Sequence, residues 1–383
     1  MEPVIITEDR LDTGLRGVPV GYCPTSDVDP LLGLSYGGIL IPKLAHKEPE
    51  EVIYLLLNRA LPTPTQLEAF TKDLKARAKI NSFVLDGLKT IPKEGHPMKW
   101  LVAGLNLMGM VAKTKSYREE CLNVIAQLPE LVAAIYRIRS GWGPLIAPDP
   151  KLGYIQNFVH MLGAKGTGQH FERLMKVFNI LHFDHGGGNL STFIGKAIAS
   201  GHEDMYGSLM GAMCGLAGPL HGMANQECLR FLKSSLERVK DPTNEKAVNE
   251  YLQQLWDNKE TLYGFGHAVL RVEDPRATVQ YELGDEICPN SKIFQMSKAM
   301  RTLGTAFLSK QSKVSNPYPN VDAVSGSLLT SCGLEDEDYY TVLFGMSRSV
   351  GIAIQIVYER EEARGGKGTP IVRPAYIYNG PKV

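Results

Sequence analysis

Helical periodicity is the sequence feature that most restricts the fold of this chain. After Glu50, apolar residues recur at three- and four-residue intervals along most of the sequence. This spacing lines up apolar side chains on one face of an α-helix, whereas a half-buried strand would alternate strictly. The pattern predicts helices over segments such as KWLVAGLNLMGMVAK, REECLNVIAQLPELVAAIYRIR, YIQNFVHMLG, QHFERLMKVFNILHF and NQECLRFLKSSLERV. The predicted fold class is therefore all-α.

The first 45 residues depart from this pattern. They are rich in Gly, Pro and β-branched residues, which indicates short strands and turns and one small sheet. The segment after them, EEVIYLLLNRALPTPTQLEAFTKDLKARAKI, reads as two helices. Pro62 to Pro64 break the first helix, and Thr65 is the predicted N-cap of the second.

Two further helices are predicted from apolar runs. SLMGAMCGLAGPL contains many Gly and Ala residues, which let helices approach closely, so it is predicted as a buried packing helix that ends at Pro219. DYYTVLFGMSRSVGIAIQIVYEREEA is predicted as the longest helix of the chain. The acidic residues Glu335 to Asp338 precede its apolar part and suit the N-terminal end of the helix dipole.

Size and charge limit the classes of protein to which this chain can belong. A chain of 383 residues with 44% hydrophobic residues can bury a large core and divide into more than one domain. Lys+Arg and Asp+Glu both number 41, so the balanced charge predicts no nucleic-acid partner and no attraction to an anionic membrane. No stretch of membrane-spanning length lacks charge.

Cysteine usage and the N-terminal sequence bear on the cellular compartment. None of the six cysteines has CxxC spacing, which favours free thiols in a reducing compartment. The segment MEPVIITEDRLDTG is acidic and has no apolar core, unlike a secretory signal, and it lacks the Arg-rich pattern of a transit peptide. A processed form that has lost such a peptide remains open. The predicted location is cytoplasmic.

Polar residues concentrate in four short segments that a purely structural helical protein would not need. The segments are LHFDHGGGNLS, AGPLHGMANQE, YGFGHAVLRVEDPRA and NPYPNVDAVSG. They hold His182, Asp184 and His185, then His221, then His267 with Arg271, Asp274 and Arg276, and lastly Asp322 in a predicted loop between helices. Histidines and a carboxylate on loops or helix starts suit proton transfer beside a carbonyl.

The residue types in these segments fit chemistry on a carbonyl compound that carries carboxylates. A carboxylate can take a proton from carbon, a neutral histidine can donate to the enolate oxygen that forms, and a second histidine can polarise an acceptor carbonyl. Arginines bind carboxylates through two parallel hydrogen bonds. The candidate arginines are Arg276, Arg348 and Arg373.

Each residue also has an ordinary structural interpretation when it is taken alone. A single histidine in a helical chain is usually structural, Asp322 can form an Asx-turn, and Arg348 can be a surface or ion-paired residue. His182 and His185 can hold a metal if both lie on one helical face, although no HExxH pattern or nearby cysteine supports this. HGGG from His185 to Gly188 lacks the GxSxG partner of a lipase, and GFGHAV is not GxGxxG.

The four segments, in this order, resemble the citrate synthase family, close to its eukaryotic-type branch. The similar blocks are GLAGPLHGMANQE, GFGHAVLRVEDPR, YPNVDAVSG and YYTVLFGMSRSVG, and the similarity extends from Gly14 to Val372. The resemblance implies an all-α homodimer with the two-domain citrate synthase-like fold and a small N-terminal β element. A large domain would comprise 1–220 and 329–383, and a small domain of 221–328 would close over the active site.

The resemblance also implies an activity and its catalytic residues. The family is an acyltransferase of the tricarboxylic acid cycle, which condenses acetyl-CoA with oxaloacetate and hydrolyses the thioester to give citrate and CoA. His221 matches the histidine that stabilises the enol or enolate of acetyl-CoA. Asp322 matches the base that removes the methyl proton, and His267 matches the histidine that polarises the oxaloacetate carbonyl.

Binding residues are carried over in the same way. The residues that match oxaloacetate-binding positions are His185, Arg276, Arg348 and Arg373. The residues that lie where CoA phosphate contacts are found are Arg271, Lys313 and Arg16. In the family the arginine that corresponds to Arg373 comes from the partner subunit, so the site is shared between subunits. The coenzyme A thioester is a substrate, and neither a permanently bound cofactor nor a metal is expected.

The sequence departs from the family pattern at a few positions, and two other functions stay open. Val324 replaces a histidine of close relatives, Gly186 replaces an acidic residue, and Ser315 replaces a basic residue near the CoA positions. The first alternative function is 2-methylcitrate synthase, which uses propionyl-CoA, because a pocket rejects one methylene by only about 1–3 kcal/mol. The second is a non-catalytic paralogue that binds acyl-CoA.

Overall fold

The computed structural model describes residues 5–114, 116–164 and 167–381. Across them the chain forms seventeen α-helices and three short strands, which confirms the predicted all-α class. The helices are α1 (Ile41–Leu44), α2 (Pro49–Asn58), α3 (Pro64–Arg77), α4 (Ser82–Leu88), α5 (Pro97–Val111), α6 (Tyr117–Ser140), α7 (Tyr154–Leu162), α8 (Phe171–His182), α9 (Leu190–Ser200), α10 (Met205–Leu216), α11 (Ala224–Val239), α12 (Glu245–Asp257), α13 (Pro275–Ile287), α14 (Lys292–Ala299), α15 (Thr305–Leu308), α16 (Asp322–Ser331) and α17 (Tyr340–Val357). Short 3₁₀ turns at Glu8–Thr13 and Glu337–Tyr339 and π-helical turns at Met300–Gly304 and Tyr358–Glu362 complete the helical structure.

The predicted N-terminal sheet is present and has three antiparallel strands. These are β1 (Ser26–Asp29), β2 (Gly33–Tyr36) and β3 (Ile39–Leu40), in that spatial order. Tyr36 is fully buried, and its hydroxyl donates to the Ile180 carbonyl at 2.9 Å, which attaches the sheet to α8. The sheet therefore lies against the C-terminal end of α8, where the HFDH segment leaves the helix.

The cap of α3 differs from the prediction. Thr63, rather than Thr65, is the N-cap, and Pro64 is the first helical residue. The Thr63 hydroxyl accepts from the Gln66 N–H at 3.4 Å, and the Gln66 side chain accepts from the Thr63 N–H at 2.9 Å. Proline fits the first helical position because its missing N–H would have no partner there. The proline run therefore starts the second helix as well as ending the first.

Helix α17 is the central helix of the larger group of helices. It packs against α6, α8, α9 and α10, and nearly all of its residues are buried. With the 3₁₀ turn before it and the π-helical turn after it, the helical stretch runs from Glu337 to Glu362 and has 26 residues, whereas α6 has 24. The prediction that this segment forms the longest helix is therefore confirmed, although its α-helical part ends at Val357, where a π-helical turn begins.

Two helical stretches have the length and composition of a membrane span. They are Tyr117–Ser140 and Glu337–Glu362, and 78% and 94% of their apolar windows are buried inside the fold. Helices that are apolar on all sides are expected in the core of a large protein. Burial inside the fold accounts for the apolar character of both.

Helix α10 packs closely on its neighbours, as the small residues of its segment predict. It contacts α5 and α9, and a Cβ at Gly195 of α9 would lie 3.2 Å from the Cβ of Ala212. The helix ends at Leu216, before the predicted end at Pro219. The residue that precedes a proline avoids the α conformation, so Pro219 stops the helix upstream of itself.

Helices α11 to α16 form a second group. Helix α16 packs against α11, α13 and α14, and α12 packs on the π-helical turn at Met300–Gly304. The second group contacts the first where α8 packs against α13 and α16 and where α17 packs against α11. The boundaries of the small domain at 221 and 328 stay a prediction.

Candidate active site

The segment that follows α8 supplies the first histidine of the site. His182 is the last residue of α8, and its Nδ1 donates to the Phe178 carbonyl at 2.7 Å while its ring stacks on the Phe178 ring. Burial, followed by the Arg276 charge, lowers the pKa of His182 to about 3. His182 is therefore a neutral, fully packed histidine with a structural role.

His185 lies beyond the helix and faces the third segment. Its ring centroid is 5.4 Å from that of His267, and the planes are inclined by 64°. Its Nε2 is buried and contacts no hydrogen-bond partner among the described residues. Burial, followed by the charges of Arg276 and Arg348, lowers the pKa of His185 well below its usual value. A buried nitrogen without a partner is a position that a polar ligand can satisfy.

His267 is held in one tautomer by the backbone that follows it. Its Nδ1 accepts from the N–H groups of Val269 and Leu270, each at 3.0 Å. A nitrogen that accepts two hydrogen bonds carries no proton, so we assign the proton of neutral His267 to Nε2. Burial and then the Arg276 charge lower the pKa of His267. The Nε2–H can therefore donate to a carbonyl oxygen.

His221 is fixed by Ser191 of the LHFDHGGGNLS segment, a serine for which the sequence predicted no specific role. The Ser191 N–H donates to His221 Nε2 at 3.3 Å, and the Ser191 hydroxyl lies 2.9 Å from the same nitrogen. That hydroxyl also donates to the Asn189 side chain, which caps α9. Since Nε2 accepts, we assign the proton of neutral His221 to Nδ1, which leaves Nδ1–H as a donor. Burial, with the Arg348 charge, lowers the pKa of His221 to about 4.

Asp322 is the first residue of α16 and does not lie in the loop where the sequence placed it. The reason is that Asn320, two residues earlier, accepts from the Asp322 N–H at 3.0 Å and lets the helix begin at Asp322. No described residue donates a hydrogen bond to the Asp322 carboxylate. Burial raises the pKa of Asp322 to about 6, and the Arg276 charge opposes that rise. A carboxylate without donors is a stronger base than an ordinary aspartate.

Two buried arginines face this cluster. Arg276 is 3% exposed and pairs with Asp274, whose Oδ2 lies 2.6 Å from Nη2. Arg348 is 2% exposed, donates through Nε to the His182 carbonyl at 3.0 Å and lies over the Phe344 ring. Among the described residues no carboxylate lies within 4.0 Å of the Arg348 guanidinium. The alternative interpretation of Arg348 as a surface or ion-paired residue therefore does not hold, since α17 is a core helix.

The charges of these side chains change one another's pKa values, so the side chains belong to one site. The Arg276 and Arg348 charges affect the pKa of both His185 and Asp322, and the Arg348 charge also affects that of His221. His267 joins the cluster through its contact with His185. The arrangement combines a base without hydrogen-bond donors, two neutral histidines with an available N–H, and two buried positive charges.

Four predicted binding residues lie outside this cluster. Arg373, Lys313 and Arg16 are exposed, and none forms a hydrogen bond or an ion pair with the described residues. Arg271 is exposed too, but its Nη1 donates to the carbonyls of Val269 and Leu270 at 2.9 and 2.8 Å. Arg271 therefore stabilises the turn that follows His267.

The family follows from a comparison of the whole chain with known families. Residues 14–375 match the family model described as citrate synthase, C-terminal domain. The chain belongs to the citrate synthase family. The predicted family and the acyltransferase class are thereby confirmed.

Named relatives and solved structures agree with this family. Citrate synthase 4, mitochondrial, of Arabidopsis thaliana is 36% identical over 379 residues, which cover 93% of this chain and 80% of the relative. The mitochondrial citrate synthase of Citrus maxima is 35% identical, and the match covers 97% of this chain and 83% of the relative. The crystal structure of citrate synthase from Thermotoga maritima MSB8 has a TM-score of 0.82 and 29% identity, with 97% and 96% of the chains covered.

A further solved structure is a complex with ligands. It is the ternary complex of carboxymethyl coenzyme A and oxaloacetate with citrate synthase from Thermoplasma acidophilum. Its TM-score is 0.84 at 26% identity, and the match covers 97% of both chains. The citrate synthase-like fold predicted for this chain is confirmed by these neighbours.

The metal alternative finds no support in the geometry. Helix α8 ends at His182, so His185 does not follow it on the same helical face, and His182 Nδ1 is occupied by a carbonyl. Within residues 5–114, 116–164 and 167–381, no three His, Cys, Asp or Glu side chains are grouped to hold a metal ion.

Sequence reasoning also missed a glycine of the FGMSRSVG segment. A Cβ on Gly351 of α17 would lie 2.3 Å from the Phe183 carbonyl oxygen and 2.6 Å from Asp184 Oδ1. Only glycine lets the segment before His185 approach the helix this closely. An isolated glycine inside an apolar helical run was the available signal.

Two of the three departures from the citrate synthase pattern lie near the site or in the core, whereas the third, Ser315, is exposed. Gly186 has φ +68°, where glycine is favoured, and its N–H donates to the Ser26 hydroxyl at 2.8 Å. Val324 is fully buried in α16. Gly186 thus belongs to the turn beside His185, whereas Val324 belongs to the core.

Proposed function

We propose that this chain condenses acetyl-CoA with oxaloacetate, hydrolyses the resulting citryl-CoA, and releases citrate and CoA. The observation that carries the proposal is the pairing of Asp322, a carboxylate without hydrogen-bond donors, with two neutral histidines that each retain one N–H. Such a set can take a proton from carbon while donors meet the developing negative charge.

Oxaloacetate is the first substrate of this scheme. The guanidinium groups of Arg348 and Arg276 attract its carboxylates, and the buried Nε2 of His185 gains a partner. His267 Nε2–H donates to the ketone oxygen and draws electron density from the carbonyl carbon. Because burial lowers the pKa of His267, the ring donates as a neutral imidazole.

Acetyl-CoA is then activated at its methyl group. Asp322 removes a methyl proton, and His221 donates from Nδ1–H to the thioester oxygen as the enol or enolate forms. The carbon nucleophile attacks the ketone carbon of oxaloacetate, a C–C bond forms, and the ketone oxygen gains a proton to become the hydroxyl of citryl-CoA. Water then breaks the thioester and releases CoA as a thiol.

The CoA phosphates are the next part of the scheme. Arg271, Lys313 and Arg16 are exposed cations, and exposed cations suit phosphate groups. The carboxymethyl coenzyme A in the Thermoplasma acidophilum complex supports a CoA thioester as the substrate here. In this scheme CoA acts only as a substrate, and no step uses a resident cofactor or a metal.

We also propose a homodimer whose two sites each take Arg373 from the partner subunit. Arg373 is exposed and forms no hydrogen bond or ion pair with the described residues. The C-terminal segment around it exposes several large apolar side chains: Ile371, Val372, Tyr376, Ile377 and Tyr378. Exposed apolar side chains in one segment indicate a surface that another chain covers. In such a dimer, Arg373 of each subunit would reach the active site of the other subunit.

The location of the protein stays a prediction. The plant relatives are named mitochondrial, whereas the prediction for this chain is a cytoplasmic location. Fractionation of source cells, with detection of the protein in each fraction, decides between the two compartments.

Release of free thiol from acyl-CoA tests the proposed reaction. Thiol release that depends on oxaloacetate and is faster with acetyl-CoA than with propionyl-CoA supports the proposal. Faster release with propionyl-CoA would favour 2-methylcitrate synthase. No release with either thioester, from folded protein, would contradict catalysis and favour a binding paralogue.

A further inference from the structure

Asp184 is a buried carboxylate beside the site that the reaction scheme does not use. It is fully buried and accepts four hydrogen bonds. Its Oδ2 accepts from the hydroxyls of Thr25 and Ser26 at 2.5 and 2.8 Å. Its Oδ1 accepts from the His185 N–H at 3.0 Å and from Gln355 Nε2 at 2.8 Å.

These partners join three elements at the turn of His185. Ser26 belongs to β1, Gln355 belongs to α17, and His185 follows Asp184 directly. The Ser26 hydroxyl also accepts from the Gly186 N–H at 2.8 Å, and Gln355 Nε2 donates to the Gly186 carbonyl at 3.1 Å. The backbone on both sides of His185 is therefore fixed through one carboxylate and its donors.

The same carboxylate lies on the face of α17 that carries Arg348. Arg348, Gly351 and Gln355 are spaced by three and four residues, so they share one face. Arg348 Nε donates to the His182 carbonyl, the Gly351 N–H donates to the Phe183 carbonyl, and Gln355 donates to Asp184. The chain from 182 to 184 thus follows that face, and Asp184 contacts it one turn beyond Arg348.

Arg348 needs a negative charge near it when no substrate is bound. Its guanidinium is buried and has no carboxylate within 4.0 Å among the described residues, and a buried charge without a counter-charge is costly. Burial lowers the pKa of Arg348 to about 10, and Asp184 is the group that opposes this most. Tyr36 and Asp322 act in the same direction as Asp184, and Arg276 acts against them.

From this geometry we infer that Asp184 is a positioning residue that fixes the His185 turn and balances the charge of Arg348 in the empty site. The inference rests on the proposed function, because it assumes that oxaloacetate is the ligand of Arg348. A substrate carboxylate at Arg348 then meets the repulsion of Asp184. The charge of Asp184 therefore stabilises the empty site and weakens the binding of the dicarboxylate.

The variant Asp184→Asn separates the charge from the hydrogen bonds. The amide oxygen can accept from His185 and Gln355, and the amide nitrogen can donate to the Thr25 and Ser26 hydroxyls, which can turn to accept. A change in ligand affinity then reports the charge. Calorimetric titration with oxaloacetate, without acetyl-CoA, measures that affinity whether or not the protein turns over.

We expect Asp184→Asn to bind oxaloacetate about tenfold more tightly than the wild type, as loss of one repulsive charge at short range predicts. The matched control is Thr25→Val, which removes one donor to Asp184 and leaves its charge, and it should not tighten binding. Unchanged or weaker binding by a folded Asp184→Asn protein would overturn the inference. Failure of the wild type to bind oxaloacetate would instead overturn the proposed function.

A second variant covers the case in which Asp184→Asn does not fold. Combining it with Arg348→Gln removes both charges, so the double variant should recover a melting temperature near that of Arg348→Gln alone. A double variant that remains unfolded would show that Asp184 acts only through its hydrogen bonds, and the charge-balancing role would be rejected.

Discussion

At the scale of single residues, burial shifts the pKa of the carboxylate and the pKa of the histidine in opposite directions. Burial disfavours charge, so it raises the pKa of Asp322 to about 6 and lowers that of His221 to about 4. At neutral pH, Asp322 is therefore a charged base and His221 is a neutral donor. The same physical cause thus prepares both partners for proton removal from acetyl-CoA.

The pKa of Asp322 predicts the pH dependence of the reaction. A carboxyl group whose pKa is raised keeps its proton up to a higher pH, and a protonated Asp322 cannot accept the methyl proton. Turnover should therefore fall as the pH drops below about 6, while His221 stays neutral down to about pH 4. The test is kcat/KM for acetyl-CoA between pH 5 and 8. A kcat/KM that does not fall between pH 7 and pH 5 would argue against Asp322 as the group that titrates.

At the scale of elements, the contact between α17 and the segment before His185 determines the shape of the site. Arg348 and Gly351 of α17 donate to the carbonyls of His182 and Phe183, each at 3.0 Å. The contact requires the absence of a side chain at Gly351. A core helix thereby positions both the arginine and the histidine that face oxaloacetate.

Gly351→Ala tests this contact. The added Cβ would overlap the Phe183 carbonyl, and overpacking of a core typically costs about 1–3 kcal/mol. We expect a loss of that size in the free energy of unfolding, measured by urea denaturation, together with a higher KM for oxaloacetate.

The matched control for this variant is Gly168→Ala, because a Cβ at Gly168 would meet nothing within 4 Å. It should leave both quantities near their wild-type values. Wild-type stability and KM in Gly351→Ala would show that the segment and α17 can separate without cost.

The sequence was sufficient to predict which helices and strands form, but it did not give the residues at which some helices begin. The helices α5 to α8 follow from periodicity, and the small sheet follows from the Gly, Pro and β-branched residues of the first 45 positions. The starts of α3 and α16 were misplaced, because side chains of Thr63 and Asn320 bond to backbone N–H groups and decide where each helix begins. Such local hydrogen bonds leave little trace in hydrophobic spacing.

At the scale of the whole molecule, the site of one chain lacks a predicted binding residue. Arg373 lies in an exposed C-terminal segment in which Tyr376 is 93% and Ile377 is 69% exposed. A C₂ dimer in which this segment reaches the other subunit would complete both sites at once. The dimer would then be part of the catalytic unit.

Mixing two inactive variants tests the shared site. Arg373→Ala and Asp322→Ala should each be inactive alone. After random exchange of subunits, each mixed dimer has one intact site, so about a quarter of wild-type thiol release should return. The control is a mixture in which subunits are kept from exchanging, which should stay inactive. No recovery in confirmed mixed dimers would refute the shared site.

Long-range contacts explain which parts of the site escaped prediction. His221, His267 and Asp322 stand in motifs that the sequence displays directly. Asp184 also stands in such a motif, but its role and that of Ser191 depend on contacts with residues that are distant along the chain; Ser191 and His221, for example, are 30 positions apart. Periodicity and spacing carry no information about such pairs.

The most direct test of the account is the turnover of Asp322→Asn. The substitution keeps the shape of the side chain and removes the base, so kcat for thiol release from acetyl-CoA should fall about a thousandfold. The melting temperature should stay close to that of the wild type, and oxaloacetate should still bind. Turnover close to wild type in this variant would contradict the assignment of Asp322 as the base and, with it, the proposed mechanism.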